Sequence, residues 1–420
     1  MTSSGPDEVF VWIWLPEAVE PVVVGRLEAV GNIIEFNYGR SYLERDDAIP
    51  IYLPELPLRS GTIAPLDGLR IAGCIDDVGP DAWGQRVIMQ HMLGAAATDA
   101  DPADLHPLTY LMKSGSDRIG ALDFQESADT YVSRDDASAP LEELMEAADR
   151  VDRHLPLSPA LDRALLHGSS VGGARPKALL SDDGRRLIAK FSSTTDSFSV
   201  VKGEYVAMEL ARRAGLDVAG VTLTESMGRD VLLVERFDRE PSTGSRHAVV
   251  SALTMLSLDE LLARYASYAD LADIMRQRFV NGPATLRELF ARITFNILVG
   301  NTDDHARNHS AFWDGANLSL TPAYDICPQG RAGGEASQAM MIGPDGFRMS
   351  QLAGCVRAAS TYLLDEKEAR AIIDRQIAVI ESEWDDVCEA GRLTEVDRDY
   401  FWRRQFLNPY ALQGYVSAGA

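Results

Sequence analysis

The chain changes from strand-like to helical patterning part-way along its length, and this change constrains its fold more than any other feature. Between residues 8 and 75, short segments rich in Val, Ile and Tyr alternate with Gly, Pro and Asp, which is typical of antiparallel strands joined by turns. After about residue 250, apolar residues recur at helical spacing, and a long amphipathic stretch covers 366–389. The sequence therefore predicts an α+β protein with a β-rich front and a helical second half.

Two hairpins and one helix are expected between these regions. Residues 177–181 and 186–191 alternate like strands around an Asp-Asp-Gly turn, and residues 221–238 form a second hairpin. Residues 202–215 between the hairpins are predicted to be helical. In the front region, residues 80–94 form a predicted helix with a proline and an aspartate at its start and a glycine at its end.

Composition excludes several classes of protein. The formal net charge of -23 argues against direct binding of nucleic acid by this chain alone, and it suits a basic protein partner. No run of eighteen apolar residues occurs, so no membrane association is expected. The four cysteines form no Cys-x-x-Cys pair, which argues against zinc and disulfides and favours the cytoplasm. Of only five lysines, two (Lys177 and Lys190) fall in the first hairpin.

One segment of the helical half carries candidate catalytic residues. Asp303 is followed five residues later by Asn308, and Asp325 comes seventeen residues after that. In protein kinases, a catalytic-loop aspartate accepts the proton of the substrate hydroxyl, an asparagine five positions on binds Mg²⁺, and a second aspartate completes the metal site. This spacing lets one loop aim a base at the nucleophile while its next turn presents an amide oxygen to a hard cation. The segment therefore predicts Mg²⁺-assisted phosphoryl transfer.

Other interpretations of this segment use neighbouring side chains. His305 and His309 have the spacing of zinc ligands on a helix, but the glutamate of His-Glu-x-x-His and a third ligand are missing. A Ser–His–Asp hydrolase would need a Gly-x-Ser-x-Gly elbow, which is absent from the sequence. Asp304 is an alternative base, although the five-residue spacing to the asparagine favours Asp303.

Candidate phosphate-binding residues lie upstream. Gly172 and Gly173 would let backbone amides approach phosphate closely, although neither a P-loop nor Gly-x-Gly-x-x-Gly is present. Lys190 shares a strand face with Ile188, so it can reach phosphate while the isoleucine lines an adenine slot. Glu204, early in the next helix, is a candidate partner for Lys190. Without a functional role, the two glycines would form an ordinary turn, Lys190 would face solvent from its strand, and Glu204 would be a charged residue near a helix N-terminus.

The segment VERFDR at residues 234–239 ends the second hairpin. Its backbone can hydrogen-bond an adenine edge while Phe237 packs nearby; as ordinary structure, it is a strand end with a salt-bridged surface. Together these segments predict a protein-kinase-like, two-lobed α+β fold, with a small β-rich ATP lobe and a helical C-terminal lobe behind a β-rich N-terminal subdomain. The expected domain ranges are 1–150, 151–240 and 241–420.

Five motifs in order, SSVGGARPK, LIAK, VERFDR, NTDDHARN and TPAYD, give the chain a resemblance to the HipA family of serine/threonine kinase toxins. Members of that family have a loop resembling SVAGAQxK, the hinge VERFDR, a TDxHxKN catalytic loop and a PxYD metal aspartate. GRLE near residue 25 and PDAWGQR near residue 80 are similar to the family's N-terminal subdomain. The likeness covers nearly the whole chain and implies a protein serine/threonine kinase that uses ATP and Mg²⁺.

The resemblance also implies roles for individual residues. Asp303 would accept the proton, and Asn308 and Asp325 would hold Mg²⁺. The implied ATP-binding residues are Gly172, Gly173, Ala174, Arg175, Pro176 and Lys177 in the phosphate loop, Lys190 on its strand, Glu235, Arg236 and Phe237 in the hinge, and His305, Tyr324 and Asp325. Ser170 matches the loop serine that family members autophosphorylate to switch the kinase off. About two added negative charges in a phosphate pocket would repel ATP, which explains such a switch.

The family likeness further implies the toxin of a toxin–antitoxin pair. Its partner would be a small helix-turn-helix, HipB-like antitoxin, with DNA contacted only through that antitoxin, and its substrate is by analogy a translation component. Three departures from the family are Arg175-Pro176, which removes a backbone donor, Asp304 in place of glycine, and Arg307 in place of lysine. The altered loop favours an alternative, a catalytically weak or inactive kinase-like protein that acts with the helix-turn-helix partner in repression.

Overall fold

The computed structural model of the chain divides by its internal contacts into two compact units. Its described residues are 5–94, 97, 100–134, 139–153, 155, 157–158, 161–162, 165–166, 168–170, 173, 175–182, 184–193, 196, 198–331 and 333–419. The first unit comprises Met1–Thr195, Thr224–Val250 and Phe312–Ala316, and the second comprises Asp196–Leu223, Ser251–Ala311 and Asn317–Ala420. The three-part division with boundaries after residues 150 and 240 stays a prediction.

An antiparallel five-stranded sheet forms the front of the first unit. Its strands are β1 (Glu8–Ile13), β2 (Val22–Val30), β3 (Ile33–Tyr38), β4 (Thr62–Ile63) and β5 (Leu122–Gln125), in the order β4-β3-β2-β1-β5. Every second residue of β3 is buried, as expected for a sheet with one face on the core. The strand prediction is confirmed for three of its four segments. The fourth, IPIYLP at residues 49–54, is wrong: it forms turns, because its two prolines cannot donate to a ladder.

The helices of the first unit are α1 (Arg40–Leu43), α2 (Gly73–Asp76), α3 (Ala82–Leu93), α4 (Pro107–Lys113) and α5 (Leu141–Asp152). Of these, α3 and α5 pack against a second sheet. The predicted helix at 80–94 is confirmed as α3, which begins after Asp81 and ends at Gly94. Trp83 and Val87 of α3 join Leu144 of α5 in one buried apolar cluster with side chains of the second sheet.

The second sheet holds both predicted hairpins, and the predicted helix lies between them in sequence. The elements are β6 (Lys177–Asp182), β7 (Arg185–Phe191), α6 (Val200–Ala214), β8 (Val221–Ser226) and β9 (Arg229–Glu235), and the strand order is β6-β7-β9-β8. In the first hairpin Lys177 stands opposite Lys190. Both hairpins are confirmed, and the helix begins two residues before its predicted start and ends at Gly215.

Helices dominate the second unit. The remaining elements in chain order are β10 (Ala248–Ser251), α7 (Ala252–Met255), α8 (Tyr268–Arg278), α9 (Gly282–Val299), β11 (Ser310–Trp313), β12 (Leu318–Leu320), α10 (Leu352–Arg357), α11 (Glu366–Ala390), α12 (Glu395–Phe401) and α13 (Pro409–Leu412), with β10-β11-β12 forming a sheet. Short 3₁₀ helices occur at Pro102–Asp104, Gly168–Ser170, Glu260–Tyr265, Ala306–Asn308 and Ala359–Tyr362.

Two long helical predictions have different outcomes. The amphipathic stretch at 366–389 is confirmed as α11, which starts with a capping box between Asp365 and Glu368. The stretch at 257–279, expected to be helical, divides into a 3₁₀ segment and α8. The division falls at Ser267, whose side chain accepts hydrogen bonds from the N–H groups of Ala269 and Asp270 and so starts a new helix. Across the described ranges, no helix is long and apolar enough to cross a membrane.

Candidate active site

Helix α9 leads directly into the catalytic segment of the second unit. From Phe290 onwards nearly every side chain of α9 is buried, so the helix forms a rigid base for the loop that follows. The loop contains Asp303 and Asp304, and the 3₁₀ turn Ala306–Asn308 comes next. The two aspartates lie side by side in sequence, yet the structure gives them different surroundings.

Asp304 is buried, and its carboxylate contacts three polar side chains. Its carboxylate accepts hydrogen bonds from the Tyr268 hydroxyl and from Nδ2 of Asn296, the latter at 2.8 Å. Nε2 of His309 lies 3.0 Å from its Oδ1. Burial alone would raise the pKa of Asp304, but His309 and the hydrogen bonds from His309 and Tyr268 outweigh it and hold the pKa below its ordinary value. The alternative in which Asp304 is the base does not fit this environment, since a substrate has no access to the carboxylate.

Asp303 reaches solvent at the same loop. The surrounding protein removes part of its hydration, which raises the pKa of Asp303 above its ordinary value. The charge of His305 opposes this rise, whereas the nearby carboxylates of Asp325 and Asp304 add to it. His305 and Asp325 therefore lie close enough to Asp303 for their charges to change its pKa.

The 3₁₀ turn orients the predicted metal ligand Asn308. Its backbone N–H donates to the carbonyl oxygen of His305 at 2.9 Å, and its Nδ2 lies 3.4 Å from the carbonyl oxygen of Asp303. The amide nitrogen therefore faces the protein, and Oδ1 remains as the ligand atom. His305 itself has an extended backbone, so it and His309 do not lie on one helix as the zinc interpretation requires.

Asp325 is tied to the same framework through its backbone. Its φ of 59° lies in the left-handed region, which aspartate tolerates better than most residues. Nδ2 of Asn301 lies 3.3 Å from the carbonyl oxygen of Asp325 and donates to Oδ1 of Asn296 at 2.9 Å. One chain of amides thus connects Asp325 to the asparagine that also binds Asp304. The preceding Tyr324 donates its hydroxyl hydrogen to the carbonyl of Arg307 at 2.7 Å.

In the first unit, the two hairpin lysines share one face of the sheet. Lys177 is buried and stands directly opposite Lys190, which is half-buried. Ile188 lies on the same face, as its spacing predicts, while Leu187 and Ala189 point into the core. Two cationic side chains at facing positions of one sheet face make this face a candidate site for an anion such as phosphate.

The loop before the hairpin is described in part. Ser170 is 1% exposed, and its Oγ lies 3.4 Å from the carbonyl oxygen of Asp117. Pro176 lacks an N–H, but its carbonyl accepts from the N–H of Phe191 at 3.1 Å and extends the hairpin. Arg175 is half-buried beside it. The predicted loop residues Gly172 and Ala174 lie outside the described residues.

The hinge residues Glu235, Arg236 and Phe237 follow β9. Glu235 forms an ion pair of 3.1 Å with Arg185, and the ring of Phe237 packs edge-on against Phe312. The N–H of Arg236 donates to the carbonyl of Arg186 at 2.9 Å, which removes that N–H from the groups available to an adenine edge.

The interpretation of VERFDR as a salt-bridged surface is wrong for its central residues. Arg236 and Asp238 are buried and form an ion pair of 2.8 Å, and Arg236 also pairs with Asp117 at 2.9 Å. Arg239 reaches the same two aspartates. Burial alone would raise the pKa of Asp117, but the charges of the guanidinium groups lower it well below its ordinary value.

Sequence reasoning missed Asp117 as a partner because it lies more than a hundred residues before Arg236 and Arg239. The only available signal was the repeated Asp-Arg pairing, at Asp117-Arg118 and Asp238-Arg239. Glu204 is a further predicted residue whose side chain is buried, on α6 of the second unit, whereas Lys190 belongs to the first unit. Their pairing stays a prediction.

Comparisons with known proteins place the chain in a family. The model of the HipA-like C-terminal domain matches residues 169–384, slightly more than half of the chain, and that of the HipA N-terminal domain matches residues 17–125. The chain belongs to the HipA-like family. The matches cover β2 to β5 of the front sheet and the candidate catalytic segment, so the resemblance to the HipA family is confirmed.

Two HipA-like relatives carry kinase names. The serine/threonine-protein kinase toxin HipA of Shewanella oneidensis is 29% identical over 184 residues, which are 37% of this chain and 42% of that protein. Y4mE of Sinorhizobium fredii, named as a kinase, is 27% identical over 323 residues, which are 70% of this chain and 71% of that protein.

A solved structure shares the HipA-like fold. In the complex of Shewanella oneidensis HipA with HipB and operator DNA, the matched chain aligns with a TM-score of 0.67 at 18% identity, covering 93% of this chain and 94% of that chain. The predicted fold class, an α+β, protein-kinase-like fold behind a β-rich N-terminal subdomain, is confirmed by this likeness.

Proposed function

We propose that this HipA-like chain is a protein serine/threonine kinase that uses ATP and Mg²⁺. The contrast between the adjacent aspartates carries the proposal: Asp303 reaches solvent with a raised pKa, whereas Asp304 is buried and fully bonded. A carboxylate with a raised pKa is a better proton acceptor, and solvent access lets a substrate hydroxyl reach it. The kinase names of two relatives support the same chemistry.

In this proposal the catalytic segment supplies the base and the metal ligands. Asp303 orients the substrate hydroxyl and accepts its proton. Asn308 and Asp325 hold Mg²⁺, which neutralises phosphate charge when bound. The donor set fits a hard cation, because Oδ1 of the asparagine and the aspartate carboxylate are both oxygen ligands. Asp304 stabilises the loop and takes no part in the chemistry.

The remaining predicted residues would bind the nucleotide. Lys177 and Lys190 bind phosphate, supported by their opposed positions on one sheet face, and Glu204 remains a candidate partner for Lys190. Gly172 to Lys177 form the phosphate loop, and the hinge at residues 235–237 binds adenine through backbone groups other than the N–H of Arg236. His305 and Tyr324 lie near the nucleotide.

Ser170 would be the autophosphorylation site that switches this kinase off. Its hydroxyl is buried against the carbonyl of Asp117, where a dianionic phosphate has neither space nor solvation. Phosphorylation therefore requires the loop to leave this position and prevents its return. The loop residues that bind ATP would be displaced with it.

The biological role we propose is that of a toxin. Shewanella oneidensis HipA forms a complex with HipB and operator DNA, and by family this chain would bind a HipB-like, helix-turn-helix antitoxin and meet DNA only through it. A formal charge of -23 suits a basic partner. The phosphorylated target would be a translation component, and the site of action the cytoplasm.

The test is phosphate transfer by the wild type and by Asp303→Asn. The variant should transfer phosphate about 10²–10⁴-fold more slowly, because it loses the proton acceptor, while its affinity for Mg·ATP stays within about threefold. Asp386→Asn, an exposed aspartate of α11, is the matched control and should match the wild type. Equal rates for Asp303→Asn and wild type would contradict the mechanism. A wild type that binds ATP without transferring phosphate would instead support the interaction-protein alternative.

A further inference from the structure

The start of α3 binds the backbone of one residue in the loop that precedes the hairpin. Oδ2 of Asp81 accepts a hydrogen bond from the N–H of Gly173 at 2.6 Å. The N–H of Trp83 donates to the carbonyl oxygen of the same Gly173 at 3.2 Å. Both polar groups of this loop residue are therefore bound by two residues at one helix start.

This arrangement uses groups that normally cap the helix itself. An aspartate at the N-cap usually accepts from the second or third N–H of its own helix. Asp81 occupies the N-cap of α3 with an extended backbone, yet its side chain makes no capping hydrogen bond. Its carboxylate binds the loop instead, and the N–H of Trp83, which has no partner within the helix, finds one there. Helix and loop thus complete each other's hydrogen bonds.

The same helical turn contacts the loop at two further points. A Cβ at Gly84 would overlap the carbonyl oxygen of Ser169, so the loop approaches as closely as only glycine permits. The indole N–H of the buried Trp83 donates to the carbonyl of Lys177 at 3.0 Å. The loop is fixed at both ends and in its middle by a helix that precedes it by some ninety residues.

Gly173, which α3 holds in place, lies next to the ammonium group of Lys177. Its φ of 102° lies in the left-handed region, and the ammonium of Lys177 occupies the place where a Cβ at Gly173 would stand. The ammonium therefore lies against the Gly173 backbone, in space that any other residue would fill. The carboxylate of Asp81 holds this backbone through a charge-assisted hydrogen bond, which is stronger than a neutral one.

We propose that Asp81 is a positioning residue for nucleotide binding: through the Gly173 peptide it holds the phosphate loop and the Lys177 ammonium in the arrangement that accepts ATP. This inference rests on the proposed kinase function, since it assigns the residue to that kinase's phosphate loop. It gives the PDAWGQR segment a physical role that its position in the front region does not suggest.

The experiment compares Asp81→Ala with Asp81→Asn in the full chain. The dissociation constant for Mg·ATP, measured by calorimetry, should rise about tenfold to hundredfold in Asp81→Ala, which loses a hydrogen bond to a charged acceptor. At saturating ATP its kcat should stay within about threefold of the wild type, because Asp81 does not touch the reacting atoms. Asp81→Asn should recover most of the affinity, since its amide oxygen still accepts from the Gly173 N–H.

Two further variants make the result specific. Asp67→Ala removes an exposed aspartate of the same unit and should leave ATP affinity unchanged. Gly84→Ala should weaken ATP binding by forcing the Ser169 carbonyl away, even though alanine favours a helix more than glycine does. If Asp81→Ala does not fold, Gly84→Ala decides the question.

The outcomes separate this inference from the function on which it rests. If the wild type binds ATP and Asp81→Ala binds it equally well, the positioning role is overturned while the proposed kinase function stands. The same holds for Gly84→Ala if that variant has to decide the question. Failure of Asp81→Asn to recover affinity also overturns it, because the hydrogen bond would then be irrelevant. A wild type that binds no Mg·ATP contradicts the proposed kinase and this role with it.

Discussion

At the scale of single residues, two adjacent aspartates of the candidate catalytic segment have different surroundings. The Asp304 carboxylate binds Tyr268, Asn296 and His309 in the protein interior, whereas Asp303 is exposed to solvent. The sequence spacing favours Asp303 as the base, which stays a prediction, and it gave no sign that its neighbour is a buried hydrogen-bonding centre. The partners of Asp304 come from α8, α9 and the residue before β11, and their convergence is visible only in the folded chain.

We predict that Asp304→Ala lowers stability strongly. The substitution leaves three buried polar partners of Asp304 without their acceptor, so the free energy of unfolding should fall by about 3–5 kcal/mol. Urea denaturation followed by circular dichroism measures this change. The exposed Asp386→Ala should stay within about 0.5 kcal/mol of the wild type. An Asp304→Ala variant as stable as the wild type would show that these buried hydrogen bonds do not contribute to the stability of the fold.

The raised pKa of Asp303 predicts an acid limb in the pH dependence of kcat. The base works only when ionised, so the rate should fall as pH drops through a pKa above the ordinary aspartate value. The positive charge of His305 lowers the pKa of Asp303, so His305→Ala should move the limb to higher pH. Single-turnover rates at saturating ATP across the pH range measure the limb. A shift to lower pH would contradict this assignment of charges.

At the scale of elements, the first hairpin brings two lysines to facing positions. Lys177 and Lys190 stand opposite each other across β6 and β7, on the same face of the sheet. Cationic side chains on one face are suited to binding an anionic ligand such as phosphate.

Replacing one of these lysines tests its role with phosphate. Lys190→Met removes the charge and keeps most of the unbranched side chain, so ATP affinity should fall about tenfold to hundredfold. Lys113→Met, which replaces an exposed lysine at the end of α4, is the matched control and should leave ATP affinity unchanged. A Lys190→Met variant that binds ATP like the wild type would argue against its role with phosphate.

Elements with strong periodicity were predictable from the sequence, and those decided by distant partners were not. Helix α11 and both hairpins lie where their patterns place them. The segment IPIYLP failed as a strand because of its prolines, and the helical stretch at 257–279 divides where Ser267 caps a new helix. The candidate catalytic residues could be proposed from the sequence because their spacing is local, whereas the hydrogen bond between Gly173 and Asp81 joins residues 92 positions apart.

At the scale of the whole molecule, the proposed regulation depends on where one loop lies. In the described structure Ser170 is buried, and the neighbouring Gly173 is bound to the first turn of α3. This state would accept ATP, and phosphorylation of Ser170 would be incompatible with it. The molecule would thus limit its own activity by modifying the loop on which that activity depends.

The measurement that tests the kinase assignment most directly is intact-mass spectrometry of the wild type and Asp303→Asn after incubation with Mg·ATP, followed by peptide mapping. We predict a gain of one phosphate on Ser170 in the wild type and none in Asp303→Asn. A wild type that binds ATP but gains no phosphate, or an Asp303→Asn variant that gains phosphate as fast as the wild type, would contradict the account.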